Sequence, residues 1–191
     1  FRSIAAAFYR SHDILILANK ETPYGINENV KFFSHANETM TLLSNPNRAF
    51  GNSVGSDVRY GGGFNMKMLN DTLYILSTET CTCNLYKLTV DNHFEEVLDV
   101  DGSIDAFDTE DGQDIYYIGL IEQNLQEIYK NKKAITHINT TLDDAYVATP
   151  EVVTYKNEDY DMEGYVLLPK DYDPAKSYPA ILDIHGGPKT V

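Results

Sequence analysis

Tryptophan is missing from the 191 residues, and cysteine occurs only at Cys81 and Cys83. The first absence excludes the repeat architecture whose signature is a Trp-Asp pair in its usual form. The second excludes a disulfide framework, because residues two apart on a strand share one face and such a pair cannot staple distant segments. Zinc is unsupported as well: four ligands must converge, and the five histidines are scattered at 12, 35, 93, 137 and 185. The pair reads as two buried, reduced thiols in a cytoplasmic protein. Basic side chains are also scarce, 15 against 29 acidic ones, for a net charge of −14. A surplus of that size repels phosphate backbones and anionic lipid, so neither nucleic acid nor a membrane surface is expected as a partner. No apolar run approaches the ~18 residues that span a bilayer, and no basic-then-apolar leader follows Phe1, so the natural start is expected to lie upstream or to have been removed. Lastly, no long stretch carries an apolar stripe at helical spacing.

Short runs rich in β-branched and aromatic residues fill this gap. Asp13-Ile14-Leu15-Ile16-Leu17, Thr72-Leu73-Tyr74-Ile75-Leu76 and Asp114-Ile115-Tyr116-Tyr117-Ile118 are separated by turn-forming residues. Fourteen tyrosines and eight phenylalanines suit sheets better than helices. Residues 1–149 are therefore read as all-β.

These strands repeat. Leu73 to Leu76 lines up with Ile115 to Ile118, and further on Leu85-Tyr86-Lys87 lines up with Ile128-Tyr129-Lys130. Each unit closes with another apolar run, Phe94 to Leu98 or Ala134 to Ile138, and a weaker first copy joins Ile14–Leu17 to Val30–Phe33. A period of ~40–45 residues with four strands is what propeller blades produce, since one four-stranded sheet cannot cover both its faces alone. The expected fold is mainly β, a partial propeller of three to four blades. Residues 150–191 differ: two strands, Glu151 to Tyr155 and Glu163 to Leu168, flank a polar turn, a proline- and aspartate-rich loop follows, and an apolar strand Ala180 to Ile184 runs into His185-Gly186-Gly187-Pro188.

That last motif carries chemistry. An apolar strand ending in His-Gly-Gly is how α/β-hydrolases bring backbone N–H groups to an oxyanion hole. Together with Glu163-Gly164-Tyr165-Val166-Leu167-Leu168-Pro169 and Asp173-Pro174-Ala175-Lys176-Ser177-Tyr178-Pro179, it resembles the opening of the catalytic domain in the prolyl oligopeptidase family, in its acylaminoacyl-peptidase-like branch. The resemblance implies a serine peptidase in which a propeller precedes and caps an α/β-hydrolase domain. It further implies short peptide substrates, no metal or organic cofactor, and three site residues here. Gly187 would offer its N–H to the tetrahedral oxyanion, Gly186 would permit the close approach, and His185 would brace the loop. Nucleophile, acid and base have no counterparts in residues 1–191, so the chain is expected to be an inactive fragment, with exposed strand edges that favour a homo-oligomer.

Three other motifs compete for attention. Gly51-Asn52-Ser53-Val54-Gly55 matches the nucleophile-elbow pattern, but its flanks are a polar loop and a glycine-rich stretch instead of a strand and a helix. A small esterase built on Ser53, with Asp144 or Asp183 and His185, is the alternative it supports. A non-catalytic binding or interaction module is the other. Gly61-Gly62-Gly63 lacks the Gly-Lys-Ser/Thr of a phosphate loop and reads as a turn. Asp99-Val100-Asp101-Gly102 lacks the glycine and glutamate spacing of a calcium loop and reads as a solvated turn.

Overall fold

The computed structural model describes residues 2–9, 13–19, 30–55, 58, 65–140 and 143–184. Among them strands predominate and no α-helix occurs. The chain divides into two units, one running to Ile138 and the other beginning at Asn139.

The first unit consists of three four-stranded antiparallel meanders. The first contains β1 (Arg2–Tyr9), β2 (Asp13–Asn19), β3 (Val30–Ala36) and β4 (Thr39–Phe50), each hydrogen-bonded to the next. The second contains β5 (Met66–Leu69), β6 (Thr72–Glu79), β7 (Thr82–Leu88) and β8 (Phe94–Leu98). The third contains β9 (Gly102–Thr109), β10 (Ile115–Ile121), β11 (Glu127–Lys130) and β12 (Lys133–Ala134). Two-residue turns close several hairpins. Asn37-Glu38 and Asn70-Asp71 hold positive φ at both positions (49° and 63°, 47° and 60°), the conformation whose twist matches the flanking strands.

Between meanders the backbone linkage is thin. Ala49 and Phe50 of β4 pair with Thr78 and Ser77 of β6, and one parallel pair, Cys83 with Ser103, joins β7 to β9. Packing supplies the rest. In β6, Leu73 and Ile75 enter one core with Leu15, Leu17, Phe32, Phe50, Tyr86 and Leu88, while Tyr74 and Leu76 enter another with Leu85, Ile104, Phe107, Ile115, Tyr117 and Tyr129. Successive side chains of a strand point to opposite faces, so the middle meander is covered on both sides by its neighbours. Aromatic pairs line both interfaces. Tyr86 stacks on Phe94 with ring centroids 5.2 Å apart, Phe32 meets Phe50 at 4.9 Å, and Tyr117 stacks on Tyr129 at 5.0 Å.

Buried polar groups fasten the joins. The Asn52 amide donates to Ser103 Oγ (2.7 Å) and to the Ile104 carbonyl (2.8 Å), and its oxygen accepts from the Val54 N–H. Asn84 similarly donates to Asp99 and accepts from the Val100 N–H, holding the β8–β9 link. The Asp99–Gly102 segment is thus a short link between strands with Val100 buried, not the solvated turn expected. Gly102 has φ +153°, and a Cβ there would lie 2.0 Å from the Leu120 carbonyl oxygen, so glycine is required.

Two details depart from the sequence reading. Cys81 occupies the exposed turn before β7, and only Cys83 is buried; the pleat puts alternate residues on one face only within a strand, and β7 begins after Cys81. β12 stops at Ala134 where an apolar run to Ile138 was expected as a strand. Beyond it the chain is held by a side chain: buried Glu127 accepts from the Thr136 hydroxyl (2.5 Å) and the Ile138 N–H (2.8 Å).

The second unit contains one hairpin, β13 (Glu151–Asn157) and β14 (Tyr160–Val166), turning at Glu158-Asp159. Its register places Val153, Tyr155, Met162 and Val166 on one face with Glu151 and Asn157, and Thr154, Lys156, Asp161 and Glu163 on the other with Val152 and Tyr165, so both faces mix apolar and polar side chains. Further on, Asp173 closes a turn by accepting from the Ala175 and Lys176 N–H groups, and the Tyr146 hydroxyl donates to the Leu168 carbonyl.

Because Leu76 is fully buried between the second and third meanders, Leu76→Ala should lower unfolding free energy by about 2–5 kcal/mol. Tyr116→Ala, on an exposed face, should cost under about 1 kcal/mol. Urea unfolding of the two variants measures both.

Candidate functional site

The predicted oxyanion residues His185, Gly186 and Gly187, together with Pro188, lie outside the described residues, as does the Gly61–Gly63 turn. The approach to the motif is described. Residues 180–184 carry no regular secondary structure, with Ile181 96% and Leu182 84% exposed, so the expected strand is not formed. A strand exists by its hydrogen-bonded neighbours, and among the described residues none pairs with this segment. Asp183 is exposed on it, and Asp144 is exposed in the turn at residues 143–144.

Ser53 belongs to the first unit, in the stretch that leaves β4. Its backbone N–H donates to Thr78 Oγ1 at 3.0 Å, and Thr78 Oγ1 in turn donates to the Gly51 carbonyl at 2.8 Å. Ser77 Oγ caps the Ala49 carbonyl at 2.8 Å. Gly51 to Val54 is therefore an irregular ladder that ties the first meander to the second, with Asn52 reaching on to the third. The stretch after Gly55, where a hydrolase elbow would continue into a helix, lies outside the described residues apart from Val58.

A groove of about 480 Å³ opens between β4 and β8, with Pro46, Arg48, Tyr86, His93, Phe94 and Glu96 among its walls. The sequence reading did not single it out. Its local cause is a register shift in β4, where Ser44 pairs with Phe32 but Arg48 with Val30, so that Asn45-Pro46-Asn47 bulges outward. The Asn-Pro-Asn triplet was the available signal, since proline in a strand marks a bulge or an edge.

Arg48 ion-pairs with Glu79, donates to the Tyr86 hydroxyl (3.2 Å) and lies over the Tyr86 ring, 4.6 Å from its centroid. Burial pushes the Tyr86 phenol far above its ordinary range, reinforced by its hydrogen bond to Glu96, while Arg48 opposes the shift. The phenol is thus a fixed neutral donor and cannot act as a base near neutral pH. Arg48 is already compensated by Glu79. Ser44 stands among the groove's walls as well.

No family model matches the sequence, and no curated protein matches it either. Solved structures do match. Over 84% of this chain, the fold superimposes on Pyrococcus horikoshii acylaminoacyl peptidase with a TM-score of 0.62 at 18% identity. An acylaminoacyl peptidase in complex with Z-Gly-Gly-Phe-chloromethyl ketone matches 85% of the chain with a TM-score of 0.61 and 18% identity. Porphyromonas gingivalis dipeptidyl peptidase 4 matches 92% with a TM-score of 0.56 and 15% identity. What the chain shares with these peptidases is the fold. It spans about a quarter of their length, 24% of the first two and 25% of the third.

Burial also raises the Tyr117 phenol from its ordinary 10 to about 12. The unfolded chain therefore ionises before the folded one does, and stability should fall as pH rises from about 10 to about 12. Urea midpoints taken across that window should drop, and Tyr117→Phe should flatten the drop.

Proposed function

We propose that the chain is part of a serine peptidase of the prolyl oligopeptidase type, in which the three meanders are propeller blades and residues 150–191 open an α/β-hydrolase domain. The observation that carries this reading is the order along one chain: three stacked repeats, then a hairpin, then Ile184-His185-Gly186-Gly187-Pro188. Peptidase neighbours that match 84–92% of the chain support it.

In this reading the protein cleaves short peptides by acyl transfer. A serine outside residues 1–191 attacks the scissile carbonyl, and a histidine carries its proton to the leaving amine. As the carbonyl becomes tetrahedral, its oxygen gains charge and meets the Gly187 N–H. Glycine suits that place because no Cβ keeps the backbone from the reacting carbonyl. The propeller blades exclude large folded substrates. The reaction calls for no metal or organic cofactor.

Intact-mass analysis of the 191-residue chain after treatment with a fluorophosphonate should show no adduct. A stoichiometric adduct lost in Ser53→Ala would overturn the reading in favour of a small esterase. In a peptidase containing this chain, Gly187→Pro deletes the N–H and should lower kcat by about 10²–10³-fold with a smaller change in KM. An unchanged kcat would remove Gly187 from the oxyanion hole.

A further inference from the structure

Asn92 through Glu96 line the β4–β8 groove without a break. Side chains alternate across a strand, so Phe94 and Glu96 leave one face of β8 and Glu95 the other. What these residues share along the groove is the backbone edge of the strand. That edge is open: among the described residues β8 pairs with β7 alone. Opposite it stand Ser44, Pro46 and Arg48 of β4, where the Asn45–Asn47 bulge leaves its ladder with β3 and Asn47 turns to φ +56°. The edge is also held in place. Phe94 stacks on Tyr86 and meets Phe32 and Phe50 at 5.7 and 5.6 Å, which fixes β8 against the core of the join. Every wall of the groove belongs to the first unit.

Two of the charges at the groove are cancelled locally. Arg48 is paired with Glu79, and Lys87 reaches Glu95 at 3.0 Å. Glu96 has the hydrogen bond from the Tyr86 hydroxyl but no cation among the described residues. The groove therefore keeps one uncompensated carboxylate beside an open strand edge.

We propose that the groove docks an extended peptide, which adds to the free edge of β8 and sets a lysine or arginine beside Glu96. Strand addition supplies affinity through main-chain hydrogen bonds and leaves alternate side chains to select the partner. The edge accounts for the unbroken run of lining residues, and Glu96 makes the partner basic. A volume of about 480 Å³ lies within the ~300–1,000 Å³ of ligand sites. Pro46 keeps the opposite wall from competing for the same peptide, since proline has no N–H to give to a ladder. The inference rests on the first unit alone and is independent of whether the chain hydrolyses anything.

The probe is a strand-length, fluorescein-labelled peptide of alternating valine and lysine, titrated with the 191-residue chain and followed by fluorescence anisotropy. Saturable binding is expected. Glu96→Gln should weaken it about 2–5-fold. Glu110→Gln, which removes the same charge from the exposed β9–β10 connection, should leave it unchanged. The same peptide N-methylated at every backbone amide keeps its charges but loses its ladder donors, and should bind at least ~10-fold more weakly. Both protein variants should keep the wild-type far-ultraviolet circular dichroism, because both side chains are exposed. Absence of saturable binding would overturn the proposal. So would equal losses in the two variants, which mark general attraction to a chain of net charge −14. Undiminished binding of the methylated peptide would overturn strand addition. A fluorophosphonate result of either sign leaves these readouts untouched, so the two readings fail separately.

Discussion

A sheet with two apolar faces has to be covered twice, and the first unit is organised around that requirement. β6 is the plainest case, since Leu73 and Ile75 point one way and Tyr74 and Leu76 the other, all buried. Water cannot serve as the neighbour on either side. Burying one such side chain stabilises by about 1.5–3 kcal/mol, so the two cores flanking the middle meander outweigh the few backbone hydrogen bonds that link the meanders. Face-to-face stacking of four-stranded units is the arrangement that satisfies both faces with short local connections.

The polar groups at the joins follow from the same packing. Once meanders press together, the chain crossing between them carries backbone N–H and carbonyl groups away from water, and each needs a partner. Asn52, Ser77, Thr78 and Asn84 supply those partners. The Gly51–Gly55 motif, which matches a nucleophile pattern on paper, belongs to this set. Asparagine, serine and glycine are there because an irregular crossing needs small residues and side-chain hydrogen bonds, the same residue types that a catalytic elbow uses for other reasons.

Much of the fold was legible in the sequence because the repeat is long and its strands are strongly apolar. The match of Leu73–Leu76 to Ile115–Ile118 locates β6 and β10, and the match of Leu85–Lys87 to Ile128–Lys130 locates β7 and β11. The hairpin of the second unit was legible from its polar turn, although β13 extends to Asn157, past the expected Tyr155. Other features were not legible, for stated physical reasons. Cys81 sits outside the strand that Cys83 belongs to, and strand ends depend on partners. Residues 180–184 are apolar enough for a strand but pair with no neighbour among the described residues. The β4–β8 groove arises from a register shift, which composition records only as an isolated Asn-Pro-Asn. Of the candidate site, the sequence supplied the motif at residues 185–188, and the structure supplied the elements that precede it.

The thinness of the links between meanders has a mechanical side. Four ladder-bonded strands within a meander form a stiff sheet, whereas neighbouring meanders are joined through side-chain packing and a handful of hydrogen bonds. A stack of this kind, pulled from one end, gives way at the seams: whole sheets detach one after another, each keeping its internal pairing until it is free.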